Sequence, residues 1–469
     1  MSAPSVRPAG DDVLSVRDGK LFIEDVNACD VAAAFGTPLY VFSEQQLRLN
    51  IARWAAAAAA AWPHGPTLVM PSLKANTSPV LRAILNEEGA GCDVFGPGEL
   101  EIALGSGVPA GRISLNGATK SDALLERAIA AGVRVTLDSA DEFERAQLVA
   151  KSLDQVARVR FRIRPWLPHT DALSDFDPTG GAAYLAIQDY RAGMPTDEMF
   201  ECLAATAGDD YVDLIGVHAH ASRQTTDLAF WTAYARNVGE TCAELARLSP
   251  GWRPQEIDLG GGFAVPRDPT GRPDPVEGSL APTPAEYMSA LVAGLSEGLA
   301  VGGLTSDGIG LQVEPGRAVY GNAGLHLTRV LHVKQQTQPL PRTWIETDTS
   351  EAFLPDTIIE HNDWTAVLAN EPERAADTIA AVTGISCGFD VLLPARPQPR
   401  VEPGQILAIL DTGAYQDAAA NNFNAMLRPA SVLVTGDDVC LIKRRETLDD
   451  ITARDVPLGT VFDTSTQLW

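Results

Sequence analysis

The chain has 469 residues, of which 45% are hydrophobic and 21% charged, enough for two cored domains. Its formal net charge of -25 argues against nucleic-acid backbones and anionic membranes as partners. Six widely spaced cysteines with no C-x-x-C pair argue against a zinc cluster or a disulfide framework, and with neither a leader-like N-terminus nor a membrane-length apolar run a cytoplasmic protein is expected.

In chain order, Lys20–Glu24 and Pro38–Phe42 read as short strands flanking a short helix, and Ser43 with Gln46 three residues on reads as a capping box for a long helix. From Thr67 the pattern alternates. The strand candidates Thr67–Leu73, Gly91–Phe95, Arg112–Asn116, Arg134–Asp138, Val159–Arg164, Asp213–His220, Gln255–Leu259 and Gly310–Val313 are separated by helical segments, one of them opened by Ser139 and Glu142. This order predicts an α/β fold, a (β/α)8 TIM-like barrel, with a doubly wound open sheet as the structural alternative. The Asp/Pro/Gly-rich stretch from Trp166 to Gly193 reads as a long loop after the fifth strand. After Gly321 the runs become short and β-rich. The expected division is therefore 1–43, N-terminal strands of a β-rich domain; 44–320, the barrel; and 321–469, the rest of that discontinuous β-rich domain.

In a barrel, catalytic groups come from the C-terminal ends of the strands. Lys74 is expected at the tip of the first strand, where desolvation would lower its pKa and free its nitrogen for imine formation; taken alone it reads first as an ordinary strand-end lysine, and the rest of the chain must carry the catalytic reading. His218 and His220 end the sixth strand, Gly260-Gly261-Gly262 follow the seventh, and Glu314-Pro315-Gly316-Arg317 end the eighth. Three glycines can mark no more than a sharp turn, but with Arg317 they also form an anion nest. No third ligand accompanies the two histidines, so a metal site is not expected. A phosphate nest, a lysine nucleophile and a carboxylate for a ring nitrogen together specify pyridoxal 5′-phosphate.

The set Ser72-Leu73-Lys74-Ala75-Asn76, Gly91 to Leu100, Gly216-Val217-His218-Ala219-His220, Asp258 to Phe263, Glu314 to Arg317, and later Gly413-Ala414-Tyr415 resembles the alanine-racemase-fold (fold type III) amino-acid decarboxylases, nearest the diaminopimelate and ornithine decarboxylases. The resemblance implies an imine between Lys74 and the cofactor, His220 stacked on its ring, and Glu314 paired with its pyridine nitrogen. It also implies a phosphate held by Gly260, Gly261, Gly262, Gly316, Arg317 and Tyr415, with Asp93 and Glu99 in support. A homodimer with shared active sites, acting on a small amino-acid substrate, follows from the same resemblance.

Departures fall on the substrate side. Where diaminopimelate decarboxylases carry Arg-Pro-x-x-Tyr to grip a distal carboxylate, this chain reads Leu354-Pro355-Asp356-Thr357-Ile358. The segment bearing the family's proton-donor cysteine is one residue short, so either Cys387 or Ser386 takes that place. Arg223 stands where serine is usual and reads as a phosphate contact, a substrate contact or a solvated residue. The reading is a pyridoxal-phosphate-dependent decarboxylase of an amino acid or an amino-acid conjugate, of the kind found in siderophore or antibiotic pathways. Diaminopimelate decarboxylase proper, a racemase on the same fold and a catalytically silent regulator are the alternatives.

Overall fold

The computed structural model describes residues 12–165, 191–206, 208–220, 223–267, 281–362, 364–456 and 458. Most of the loop expected between Trp166 and Gly193 lies outside the described residues. The N-terminal strands β1 (Leu14–Arg17), β2 (Lys20–Ile23) and β3 (Val26–Asn27) form a small antiparallel sheet of their own. The strand β4 (Leu39–Ser43) leaves it and joins a larger sheet, and Ser43 then caps the helix Glu44–Ala61 by accepting from the Gln46 N–H at 3.0 Å.

Eight parallel strands follow: β5 (Thr67–Val69), β6 (Cys92–Val94), β7 (Ile113–Leu115), β8 (Arg134–Leu137), β9 (Ala157–Ile163), β10 (Val212–Ala219), β11 (Glu256–Asp258) and β12 (Gly310–Val313). Their order is β5-β12-β11-β10-β9-β8-β7-β6. A parallel bridge between Ser72 and Asp93, and the Gly91 N–H donating to the Val69 carbonyl at 2.9 Å, bring the two ends together into a nearly closed barrel. The open-sheet alternative is thereby excluded. The helices between the strands cover the outside. The glycines Gly294 and Gly298 let the helix Pro284–Val301 press onto its neighbour Leu228–Leu248; a Cβ on either would lie 2.0–2.1 Å from a backbone carbonyl of that neighbour.

Alternation along β9 divides Ala-Arg-Val-Arg-Phe-Arg-Ile between two environments. Val159 and Phe161 join the hydrophobic core, while Arg160 is fully buried among side chains of β7, β8, β11 and β12. Its guanidinium donates to Asp258 at 2.7 Å, Gln312 at 2.8 Å and Thr136 at 3.0 Å, and also to Ser114. Arg134 pairs with Glu256 at 3.0 Å in the same interior. The barrel is therefore filled by a hydrogen-bonded polar network rather than by aliphatic layers alone, which keeps its buried charges compensated. Glu142, expected to complete a capping box, instead turns its carboxylate to fully buried Lys120 at 2.7 Å and to the Asp138 N–H at 2.9 Å.

The remaining strands are β13 (Gly324–Gln336), β14 (Arg342–Thr347), β15 (Ala366–Leu368), β16 (Thr378–Thr383), β17 (Val391–Gln398), β18 (Ile406–Ile409), β19 (Ala430–Thr435) and β20 (Asp438–Lys443). With β4 they make a mixed sheet of order β17-β16-β14-β13-β4-β19-β20, with β18 joining β13 to β15. The long β13 is the spine of this sheet: it pairs with β4 and β18 over its first half and with β14 over its second. Leu14, Leu21 and Ile23 pack with Val41, Leu325, Leu327 and Val432 in a second core, which seats the small N-terminal sheet on this domain. No helix among the described residues is long and apolar enough to cross a membrane.

Candidate active site

The site lies at the C-terminal ends of the barrel strands. The first strand stops at Val69, earlier than the sequence predicts, because Pro71 has no N–H to extend the ladder. Lys74 consequently sits on a single helical turn, Leu73–Ala75, rather than at a strand tip. Its Nζ is 3.2 Å from Asp93 Oδ2, and the side chain is 42% exposed. The expected drop in its pKa is not found. Enclosure pulls it down, but Asp93, Tyr415, Glu314 and Glu99 outweigh that and hold the ammonium above its ordinary value. A lysine in this state rests as the cation and yields its proton when carboxylate charge around it is reduced.

Asp93 accepts from Ser72 Oγ at 2.6 Å and from Asn116 Nδ2 at 2.8 Å. Burial opposes its charge, yet Lys74 and these donors carry its pKa below the ordinary value. Asn116 also donates to Glu314 Oε1, while Glu314 Oε2 lies 3.4 Å from His218 Nε2. Glu314 and Asp258 are both pushed up to about 7, first by burial and then by neighbouring carboxylates: Asp93 acting on Glu314, and Glu314 acting on Asp258. This is a buried carboxylate poised between charge states. A ring nitrogen that binds a proton is the partner that would fix it as the anion. His218 is lowered to about 3 by burial and is therefore neutral.

His220 is also held neutral, by burial and then by the positive charge of Lys74 and Arg162. Its Nδ1 accepts from the Gly261 N–H at 3.2 Å, leaving the ring tied to the glycine turn. Gly260 and Gly262 have φ of +65° and +114°, open to glycine and costly for other residues. A Cβ on Gly261 would lie 2.2 Å from the Glu314 carbonyl oxygen, and one on Gly316 would lie 2.8 Å from the Tyr415 hydroxyl. Neither glycine turn has room for a side chain, and backbone amides left uncovered in this way are of the polarity a phosphate requires.

The second domain closes over this site. Tyr415, in the left-handed region at φ +67°, donates its N–H to the Ala75 carbonyl at 2.6 Å, and Asn76 Nδ2 donates to Gly413 at 3.1 Å. The Arg317 guanidinium lies 4.7 Å from the Tyr415 ring centre, and its Nη2 donates to Asp356 Oδ2 at 2.7 Å.

Lys74, Asp93, His220, Gly260, Gly261, Gly262, Glu314, Gly316, Arg317 and Tyr415 are therefore brought together. Glu99 stands at the edge, accepting from the Phe95 N–H at 2.7 Å. Arg223 lies on the rim, paired with Glu360 at 2.8 Å. Leu354 is fully buried in the hydrophobic core, so it fills a position without presenting a polar group. Cys387 is exposed, its Sγ accepting from Asn424 Nδ2 at 3.3 Å; Ser386 Oγ turns back to accept from the Gly388 N–H at 3.2 Å. Asn116, Asp258 and Asp356 were not singled out in the sequence. The in-facing alternation of β7 and β11 marks the first two, while Asp356 carries no local signal.

A family profile described as "Pyridoxal-dependent decarboxylase, pyridoxal binding domain" matches residues 46–321, more than half the chain. The chain belongs to the pyridoxal-dependent decarboxylase family. Similar relatives include a diaminopimelate decarboxylase of Methanocaldococcus jannaschii, 29% identical over 460 residues, covering 95% of this chain and 97% of the relative. Another, from Pseudomonas aeruginosa, is 31% identical over 446 residues, covering 94% and 98%. The crystal structure of the M. jannaschii enzyme superposes with a TM-score of 0.85 at 28% identity, over 96% of this chain and 99% of that one. This decarboxylase uses pyridoxal 5′-phosphate, whose ring, when bound, takes up the electron pair left as a carboxylate departs. The glycine turns would offer backbone donors to its phosphate, and the buried Glu314 carboxyl would suit its ring nitrogen. Around it the chain itself supplies a cation at Lys74, a neutral ring at His220 and a proton-exchanging carboxyl at Glu314.

Proposed function

We propose that this pyridoxal-phosphate-dependent decarboxylase carries its cofactor on Lys74 and releases CO2 from an amino acid or amino-acid conjugate other than diaminopimelate. The observation that carries this reading is the contrast across one site. On the cofactor side, Lys74, Glu314, Arg317 and the glycine turns are all present, which supports the reading. On the substrate side, Leu354 is buried and Asp356 has taken the Arg317 guanidinium. Diaminopimelate decarboxylation is the second reading, favoured by the names of the relatives; one relative, from M. jannaschii, was solved in co-complex with L-lysine. Labelled CO2 release across free and conjugated amino acids separates the two. Turnover of a non-diaminopimelate substrate at higher kcat/KM supports the first reading, and preference for diaminopimelate supports the second.

The reading includes a homodimer in which each second domain completes its partner's site, with Cys387 as the proton donor. Its support is the surface around Cys387: Phe389 is 96% exposed, with Ile385, Phe423 and Leu427 also at the surface. Turnover and product fate in Cys387→Ala and Ser386→Ala test this assignment. An effect of the first alone supports Cys387, and an effect of the second alone transfers the role. Residues 1–43 and 321–469 are read as one discontinuous domain around a barrel at 44–320, supported by β4 lying between β13 and β19. The six unpaired cysteines suit a reducing, cytoplasmic setting.

A further inference from the structure

Three contacts join the barrel rim to one segment of the second domain. Arg317 Nη2 donates to Asp356 at 2.7 Å, Arg223 Nη1 donates to Glu360 at 2.8 Å, and Gln224 Nε2 donates to Asn362 at 3.2 Å. Asp356 is held in place from the other side as well. Its Oδ2 also accepts from Gln416 Nε2 at 2.8 Å, and its own N–H donates to Gln416 Oε1 at 3.3 Å. Both members of the inner pair are buried, Arg317 at 6% exposure and Asp356 at 4%. The pair lies inside the site, because Arg317 follows Glu314 by three residues and sits against Tyr415.

Rim cations decide which substrates can be held, since a carboxylate taken out of water needs an uncompensated cation. Among the described residues, Arg162, Arg223 and Arg317 each already face a carboxylate: Asp138 at 3.8 Å, Glu360 and Asp356 respectively. Lys74 faces Asp93 and is needed for the cofactor. Arg317 keeps one donor beyond its pair with Asp356. Arg317 Nη1 is buried and has no hydrogen-bond acceptor. A neutral ion pair with one spare N–H suits a hydrogen-bond acceptor. If the cofactor phosphate takes that N–H, nothing remains for the substrate; if the substrate takes it, the pair meets an uncharged carbonyl or hydroxyl without adding unbalanced charge.

We infer that Asp356 neutralises Arg317 and makes the enzyme selective for amino acids whose distal end bears no carboxylate, such as a distal amide or another uncharged acceptor. This deepens the reading given under Proposed function and rests on it for the reaction. Asp356 is accordingly a specificity-determining residue.

The test compares isosteric ligands that differ only in distal charge: 2-aminoadipate and its 6-amide, each as both enantiomers. Binding to the cofactor-loaded enzyme is read from the change in cofactor absorbance, which needs no turnover, and CO2 release is measured in parallel. The expected result is at least tenfold tighter binding of the amide by the wild type. Asp356→Asn should shift the amide-to-acid ratio at least tenfold toward the acid. Glu360→Gln, on the less buried pair, should shift it the same way by a smaller factor and stands in if Asp356→Asn fails to fold. A wild type without a tenfold amide preference overturns the inference, as does a ratio unmoved in the variants that fold. Amide-selective binding without CO2 from any amino acid refutes the decarboxylase reading and leaves the selectivity intact. CO2 released fastest from the dicarboxylate does the reverse.

Discussion

Replacing Gly261 with alanine tests the phosphate role of the glycine turns most sharply, because the structure sets the size of the collision. The added methyl carbon would lie 2.2 Å from the Glu314 carbonyl oxygen, well inside an ordinary contact of 3.4–4 Å, so the backbone must move by more than an ångström. The obstacle is backbone on both sides: the Gly261 N–H is tied to His220 Nδ1 at 3.2 Å and the Glu314 N–H to the Gly260 carbonyl at 2.7 Å. Overpacking of this kind costs about 1–3 kcal/mol. The clash burdens the folded chain with or without cofactor, and to the extent that the displaced Gly261 amide is lost to the phosphate it also weakens cofactor affinity, by about 5- to 150-fold if the whole cost is felt on binding. The assay is titration of cofactor-free protein with pyridoxal 5′-phosphate followed by absorbance, alongside a melting curve. Gly298→Ala is the control, since its methyl carbon would strike Arg236 in a helix contact remote from the site; it should lower Tm without changing cofactor affinity. Wild-type affinity in Gly261→Ala would refute that role.

Glu314→Gln should retain the cofactor but lose about 10²- to 10³-fold in kcat, the scale of one buried electrostatic contact to the reacting system. The same variant reports the raised carboxyl pKa. The folded value near 7 lies above the ordinary 4.5, so this group's contribution to stability is full below 4.5 and is lost as pH rises through 7. In the cofactor-free protein, Tm of Glu314→Gln relative to wild type should therefore rise from pH 5 to pH 8; a constant difference would show that the carboxyl is unperturbed. Tyr415→Phe should weaken cofactor binding by about tenfold or more, the worth of a hydrogen bond to a charged group, and equal affinities by absorbance titration would remove its hydroxyl from the phosphate site.

The barrel was legible because its strands alternate with helices at regular spacing and lead into residues that make little sense elsewhere: Lys74, His218, the three glycines and Glu314. What escaped the sequence depends on distance across the fold. Lys74 was expected to have a lowered pKa because burial alone was visible; Asp93, 19 positions away in sequence, reverses the sign. Asn116 joins Asp93 to Glu314 across 23 and 198 positions, a link no local pattern encodes. Asp356 lies in the segment that departs from the family's clamp but carries no signal of its own, and only the docking of the second domain onto the barrel puts it on Arg317. The strand β1–β3 sheet was likewise hidden, since short strands do not reveal which sheet they join.

The central claim, that Lys74 carries the cofactor, is tested most directly by borohydride reduction of the cofactor-loaded enzyme followed by peptide mass spectrometry. The account predicts a single phosphopyridoxyl label on Lys74, lost in Lys74→Ala. A label on another lysine, or no label on a protein that has bound the cofactor, would contradict it.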